Sequence, residues 1–142
     1  MERAIELAKE CFDDGEVPVG AVIVQNETII GEGKNKVIFE NDVTSHAEIN
    51  AIRAASKKIK NYRLNDCSMY VTLEPCHMCA KAAVDARISS VIFATSEPKT
   101  GSIVSIDNFF DKKELNHNPK YQFGLLKEES SKLLKDFFRL RR

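Results

Sequence analysis

Residues 68–80 read SMYVTLEPCHMCA, and this stretch decides the fold. Ser68 to Leu73 is a short apolar run that predicts a buried strand. Pro75 suits the first turn of a helix, because its missing N–H would have no partner there. We expect that helix to continue through Cys76 to about Arg87. The stretch therefore predicts a strand followed at once by a helix, with two cysteines three residues apart on one face of its first turn.

The rest of the chain repeats this alternation of strands and helices. Apolar residues at helical spacing predict helices over residues 2–14, 46–59 and 127–139. Runs rich in β-formers predict strands, the first two joined as a hairpin, at 19–25, 28–33, 91–95 and 121–126. The polar stretches 34–45 and 96–102 predict loops, and 107–113 predicts a short helical segment. We expect a single layered α/β domain spanning residues 1–142, with helices on both faces of the sheet.

Composition limits the class of protein. Apolar residues make up 43% and charged residues 30% of the chain, which argues against general disorder. No run approaches the roughly 20 apolar residues that span a bilayer, and the start, Met1-Glu2-Arg3, has no signal-peptide core. We expect a cytoplasmic protein, in which paired cysteines indicate metal or redox chemistry rather than disulfides. Cys11 and Cys67, in apolar surroundings, are expected to pack as small core residues.

Charge is unevenly distributed although the formal net charge is zero. Residues 49–65 carry five cations and no acid, residues 127–142 carry six cations against three acids, and residues 1–16 carry two cations against six acids. Such segregation suits a polyanionic partner on one face. It is equally typical of ordinary solvated helix faces.

A second motif, His46-Ala47-Glu48, forms a candidate metal site together with the two cysteines of the helix predicted to begin at Pro75. His46, Cys76 and Cys79 supply one imidazole and two thiols. Structural zinc usually has four protein ligands, whereas catalytic zinc keeps three and leaves the fourth position to water. Glu48, two residues from the histidine, could move protons to and from that water. The pattern therefore favours a hydrolytic zinc enzyme.

Each part of this site has a more ordinary interpretation. Ser45-x-x-Glu48 is a possible capping box, in which the glutamate only completes the start of a helix. A lone histidine is usually structural, and a Cys-x-x-Cys pair can be a redox pair or half of a zinc finger. A closed four-ligand site would need one more ligand, for which the candidates are His77, Cys67 and His117.

The chain closely resembles the bacterial tRNA-specific adenosine deaminases of the TadA type. His-x-Glu with Pro-Cys-x-x-Cys is the known signature of zinc-dependent nucleobase deaminases in general. The tRNA branch is indicated by further motifs along nearly the whole chain, at residues 16–21, 31–35, 61–64, 73–76, 99–101 and 136–142. Two positions depart from the usual residues of that branch: Glu97 replaces an aspartate and Lys81 a glycine.

The resemblance implies a three-layer α/β/α cytidine-deaminase-like fold around a mixed five-stranded sheet, working as a homodimer. It implies zinc-dependent, hydrolytic conversion of adenosine to inosine at the wobble position of a tRNA anticodon, with an arginine tRNA as the expected substrate. It makes His46, Cys76 and Cys79 the ligands of one zinc ion per subunit and Glu48 the proton shuttle. Substrate contacts are expected from Asn35, Val17, Pro18, Ala47, Lys99, Phe138 and Arg139.

Two other functions remain open from the sequence. One is deamination of a free base or nucleoside, such as cytidine or guanine, because the zinc motif is common to all these enzymes. The other is a zinc-stabilised RNA-binding module without catalysis. For Phe137, Phe138 and Arg139, core packing and favourable charge at a helix end are the alternatives to RNA contact.

Overall fold

A computed structural model of the protein describes residues 1–142. Its five α-helices are α1 (Glu2–Asp13), α2 (Val37–Glu40), α3 (Ala47–Ile59), α4 (His77–Asp85) and α5 (Lys127–Leu140). Its strands are β1 (Gly20–Gln25), β2 (Thr28–Lys34), β3 (Cys67–Leu73), β4 (Ser90–Thr95) and β5 (Lys120–Phe123). None of the helices combines the length and the apolar character that a membrane span requires.

The five strands form one mixed sheet in the order β2-β1-β3-β4-β5. β1 is antiparallel to both β2 and β3, whereas β3, β4 and β5 run parallel to one another. Helices α1 and α5 contact each other and cover one face of the sheet, and α3 and α4 contact each other beneath the other face. The three-layer α/β/α fold with a mixed five-stranded sheet is thus confirmed.

Helix α3 packs unusually close to the sheet because β2 presents glycines to it. A Cβ on Gly33 would lie 2.0 Å from the carbonyl oxygen of Ala47, and one on Gly31 would lie 2.5 Å from that of Ala51. Both glycines face small residues, Ala51 and Ala55, that are fully buried in the core. This contact of backbone against backbone sets the position of the amino-terminal end of α3, where His46 lies.

Most predicted elements are found within about two residues of their expected bounds, and the differences have local causes. The interval 34–45 was expected to be a loop, but it contains the single turn α2, whose end is set by Asn41 in the left-handed conformation at φ 52°. Helix α4 ends at Asp85 rather than Arg87, because Arg87 is left-handed at φ 62°. Strand β5 ends at Phe123, since Gly124 leaves the extended region at φ 109°. The segment predicted over 107–113 is a short 3₁₀ turn, Phe109–Asp111.

The remaining cysteines lie in the core, as expected. Cys11 is 1% exposed on α1, and Cys67 is fully buried at the start of β3. All four cysteines are free thiols.

Candidate metal centre and active site

Three potential metal ligands converge at the carboxyl end of β3. The ligand atoms of His46, Cys76 and Cys79 all lie within 4.8 Å of one another. His46 Nδ1 is 3.7 Å from the sulfur of Cys76 and 3.4 Å from that of Cys79. A tetrahedral zinc with ordinary bond lengths holds a nitrogen and a sulfur ligand roughly 3.5 Å apart. Both nitrogen–sulfur distances are therefore close to the spacing that a tetrahedral zinc ion requires.

Two helix starts create this convergence. His46 is the extended residue immediately before α3, and Cys76 occupies the same position before α4. Cys76 thus precedes the helix, whereas the sequence had predicted it inside the helix, and Cys79 lies in the first turn. A helix start carries a partial positive charge, so both positions favour negatively charged ligands.

The two thiols have different proton affinities in the structure. A hydrogen bond from the Cys79 thiol, with another from the His46 imidazole, lowers the pKa of Cys76 to about 4. The hydrogen bond to Cys76 and burial raise the pKa of Cys79. Metals bind thiolates, so binding of a dication would release the protons that remain on the two sulfur atoms.

The three candidates for a fourth protein ligand are engaged elsewhere. His77 points away, and its Nε2 is 2.9 Å from Oδ1 of Asp107. Cys67 begins β3, at the opposite end of the strand, and its thiol faces the Asn65 carbonyl. His117 Nε2 lies 2.7 Å from the carbonyl oxygen of Ile88. The cluster therefore consists of His46, Cys76 and Cys79, which leaves one position of a tetrahedral ion for a small molecule.

Glu48 is a buried carboxyl group beside this cluster. Its residue is 4% exposed, and burial raises the pKa of its carboxyl to about 7, against the opposing effects of its own backbone N–H and of His46. The capping-box interpretation is wrong. The residue preceding α3 is His46 without a side-chain cap, and the Ser45 hydroxyl donates to Glu40 instead.

A cavity of about 260 Å³ opens beside the cluster. That is slightly below the range of about 300–1,000 Å³ typical of drug-sized ligands, so the cavity suits one small group. Its wall consists of residues from five separate segments: Glu16, Val17, Val19, Asn35, Val37, Ile38, His46, Ala47, Glu48, Leu73, Glu74, Cys76 and Thr100.

Two side chains in the wall carry buried oxygen atoms without a hydrogen-bond partner. Asn35 donates its amide N–H to the carbonyl oxygen of Val17, but its Oδ1 has no partner. Glu16 accepts a hydrogen bond from the backbone N–H of Phe39 through Oε1, and its Oε2 has none. Buried polar atoms are nearly always satisfied in folded proteins. The wall thus offers acceptors to a ligand that brings N–H or O–H groups.

The predicted substrate-contact residues divide into two groups. Asn35, Val17 and Ala47 line the cavity. Pro18 is buried between two lining residues but is not part of the wall. Lys99, Phe138 and Arg139 also lie outside the wall. Lys99 is exposed next to the lining residue Thr100, whereas Phe138 and Arg139 are exposed near the end of α5.

Sequence reasoning missed part of the wall. Seven further residues line the cavity and are not among the predicted site residues: Glu16, Val19, Val37, Ile38, Leu73, Glu74 and Thr100. For Val37 and Ile38 a signal was present, namely apolar residues within a stretch that otherwise reads as a polar loop. Leu73 and Glu74 directly precede the Pro-Cys motif, and their proximity to the metal cluster could have been inferred from that.

Glu74 anchors the loop that carries Lys99 and Thr100. Its carboxylate accepts hydrogen bonds from the backbone N–H groups of Glu97, Val104 and Ser105, and from the Ser105 hydroxyl. Burial opposes ionisation of this group, but these donors outweigh it and lower its pKa. Glu97, which replaces the aspartate usual in the tRNA branch, fits into this loop: its carboxylate accepts a hydrogen bond from the backbone N–H of Lys99.

A protein-family model, that of the MafB19-like deaminases, matches residues 1–142. The chain belongs to this deaminase family. Among curated relatives of this deaminase, the tRNA-specific adenosine deaminase of Haemophilus influenzae is 48% identical over 143 residues, covering 100% of this chain and 83% of the relative. The resemblance inferred from the motifs is thereby confirmed.

Solved structures give the same grouping. One, from a study of A-to-I editing by tRNA:A34 deaminases at the wobble position of transfer RNA, has a TM-score of 0.92 and 40% identity over 94% of this deaminase and 97% of that chain. A guanine deaminase from Bacillus subtilis has a TM-score of 0.65 and 37% identity over 99% of this deaminase and 90% of that chain. The tRNA deaminase structure is the more similar of the two by both measures.

Proposed function

We propose that this deaminase converts adenosine to inosine at the wobble position of a tRNA anticodon, by zinc-dependent hydrolysis. The observation that carries the proposal is the group formed by His46, Cys76 and Cys79, with the buried carboxyl of Glu48 beside it and a small cavity in front. The choice of a tRNA adenosine is supported by the relatives named as tRNA-specific adenosine deaminases.

Zinc is the metal that this donor set suits best. One imidazole and two thiolates in tetrahedral spacing are typical of zinc. Bound zinc supplies a nucleophile at neutral pH, because it lowers the pKa of a coordinated water from 15.7 to about 7. We assign His46, Cys76 and Cys79 as its ligands, with one ion per subunit.

Glu48 is assigned the proton transfers. Hydrolytic deamination adds the oxygen of water to the ring carbon and releases ammonia. One proton from the water must reach a ring nitrogen, and a second must reach the departing amine. A carboxyl group with a pKa of about 7 can both accept and donate a proton near neutral pH. Glu16, Glu48 and Glu74 are all buried carboxyl groups in the cavity wall, and Glu48, in the first turn of α3, is the one two residues from the proposed ligand His46.

The cavity accepts one base, which must leave the stack of the anticodon loop to enter it. Val17 and Ala47 provide apolar walls, and Oδ1 of Asn35 is free to accept a hydrogen bond from the base or its ribose. Pro18 is buried between the lining residues Val17 and Val19 and is proposed to hold them in position.

Residues outside the cavity are proposed to contact the rest of the loop. Lys99 is exposed beside Thr100 and can approach phosphate groups. Phe138 is 47% exposed, whereas Phe137 is 6% exposed and packs on Phe12. Arg139 is exposed and paired with Asp136, and phosphate can compete for such a surface pair. The proposal includes a homodimer, a cytoplasmic location, where tRNA is found, and an arginine tRNA as substrate.

The deciding experiment is an assay on tRNA, with and without a zinc chelator. Purified protein is incubated with tRNA transcripts carrying A34, and inosine is read as A-to-G changes on sequencing. Parallel reactions with guanine, cytidine and adenosine measure ammonia release. We expect inosine at position 34 and its loss with chelator. Ammonia from free guanine or cytidine with unreacted tRNA would instead show the free-base or nucleoside activity.

Glu48→Gln tests the proton shuttle. The amide keeps the size of the side chain but cannot transfer protons, so we expect turnover to fall by roughly 10²–10⁴-fold while zinc and tRNA remain bound. Glu27→Gln, at the exposed β1–β2 turn, is the matched control and should leave turnover unchanged. Turnover retained in Glu48→Gln would contradict the assignment, and no turnover in any form of the protein would favour a non-catalytic RNA-binding module.

A further inference from the structure

An exposed apolar patch lies at the mouth of the cavity. We call residues 36–45, which contain α2, the mouth segment. Within it Ile38 is 60%, Phe39 81% and Val43 79% exposed. Val37 and Ile38 line the same cavity as His46 and Glu48, so the patch is continuous with the cavity wall. Phe39 has the largest exposed fraction of any large apolar residue in the chain.

The mouth segment is held in place at several points. The Phe39 N–H donates to Oε1 of the buried Glu16 at 2.7 Å. Lys36 and Ser45 close the segment through a backbone hydrogen bond of 3.0 Å, and the Ser45 hydroxyl donates to Glu40 at 2.6 Å. The Phe39 ring is therefore presented on a fixed backbone, which lowers the entropic cost of binding a partner there.

The acidic groups of the segment are engaged by their neighbours. Glu40 interacts with the Ser45 hydroxyl and with Lys36. Asp42 accepts hydrogen bonds from both the N–H and the hydroxyl of Thr44. The surface around Phe39 is thus mainly apolar, and of its two carboxylates Glu40 has a cation nearby, the Lys36 ammonium at 3.9 Å.

The proposed reaction creates a need for such a surface. A base extruded from an RNA loop leaves its neighbours without a stacking partner, and proteins commonly stack such bases on aromatic side chains. We propose that the Phe39 ring is a stacking platform for the base of a nucleotide adjacent to the target adenosine. The inference rests on the proposed function, since it requires an RNA loop in the cavity.

The test measures binding of an anticodon stem-loop RNA to the Glu48→Gln protein, with activity followed in the corresponding active proteins. Phe39→Ala should weaken binding on the order of 10- to 100-fold and raise KM with little change in kcat. Phe39→Trp should restore binding because it restores an aromatic face. Phe39→Leu should not, although it is similarly apolar. Ile29→Ala, which removes a large apolar side chain that is 39% exposed on β2, is the control and should bind as wild type does.

A second arm identifies the partner of the ring. Stem-loops are made with an abasic nucleotide on the 5′ or the 3′ side of the target. We expect the effect of Phe39→Ala to disappear with one of these RNAs, because the base that stacks on the ring is already missing. An unchanged penalty with both abasic RNAs would overturn the proposal, as would full rescue by leucine.

The other outcomes are also distinguishable. If Phe39→Ala converts a dimer to a monomer in sedimentation experiments and binds RNA normally, the patch contacts a second copy of the chain and the proposal fails. If wild type edits tRNA and Phe39→Ala does so equally well, only the stacking platform is refuted. If the wild-type protein neither binds nor edits the RNA, both the proposed function and the stacking platform are refuted.

Discussion

Cys76 and Cys79 show how strongly the role of a residue depends on its immediate surroundings. The chain contains four free cysteines, and Cys11 and Cys67 are as buried as Cys79. Their thiols face backbone carbonyl groups, whereas Cys76 and Cys79 face an imidazole and the free N–H groups of a helix start. Only the latter surroundings bring two sulfur atoms and an imidazole together, and they lower the pKa of the Cys76 thiol.

Replacement of Cys76 tests this difference. In Cys76→Ala the cluster keeps only His46 and Cys79, so we expect zinc content to fall from about one ion per chain to near zero, with a loss of thermal stability. Zinc is measured by inductively coupled plasma mass spectrometry. Cys67→Ala is the control and should retain zinc at a cost of about 1 kcal/mol of folding stability. Full zinc content in Cys76→Ala would refute its role as a ligand.

Among the elements, the loop between β4 and β5 depends most on a single contact. Glu74, at the end of β3, holds residues 97, 104 and 105 through four hydrogen bonds. Gly101 faces the same carboxylate, where a Cβ would lie 2.3 Å from Oε2. Glu74 therefore joins the strand that leads into the metal site to the loop that carries Lys99 and Thr100.

Glu74→Gln should loosen this loop. The amide cannot accept from all four donors, and each buried donor left without a partner costs about 1–3 kcal/mol. Folding lowers the pKa of the wild-type carboxyl below its ordinary value of 4.5, so ionised Glu74 stabilises the protein above that pH and loses this contribution as the pH falls below it. The difference in unfolding free energy between wild type and Glu74→Gln, measured with urea from pH 7 to pH 4, should shrink towards pH 4. A constant difference would contradict the role of the charge.

Across the whole molecule, the segregated charges have different environments. Acidic residues of α1 form ion pairs with Arg3 and Lys34. The cations of α3 and of the residues just beyond it have no ion-pair partner within 4.0 Å; they are Arg53, Lys57, Lys58, Lys60 and Arg63. This basic cluster therefore has the free charge that a polyanionic partner could use.

The proposed homodimer also concerns the whole molecule, because it requires an exposed surface that two copies can bury. Several large apolar side chains outside the mouth segment are about half exposed or more, among them Phe123, Leu125 and Leu140. If two copies bury such surface together, the melting temperature should rise with protein concentration, because association stabilises the folded state by mass action. Sedimentation equilibrium at micromolar concentration should give twice the mass of 16.0 kDa. A monomer whose melting temperature is independent of concentration would refute the dimer.

The sequence alone determined the types of element and the chemical groups of the site. Helical and strand periodicities are local, so α1, α3 and the five strands could be placed from neighbouring residues. His46, Glu48, Cys76 and Cys79 were recognised because their two short motifs match the signature of zinc-dependent nucleobase deaminases. Local turns were less predictable, since Asn41 and Arg87 adopt left-handed backbone conformations that their residue types only weakly indicate.

Only the tertiary structure decided the shape of the cavity and the surroundings of each group. Its wall combines residues 16–19, 35–38, 46–48, 73–76 and 100, and no local pattern gives the distances between segments so far apart in sequence. The close packing of α3 on the glycines of β2 sets those distances, and burial between the layers raises the pKa of Glu48. The side chains supply the chemistry, but their separation and desolvation arise only when the layers pack together.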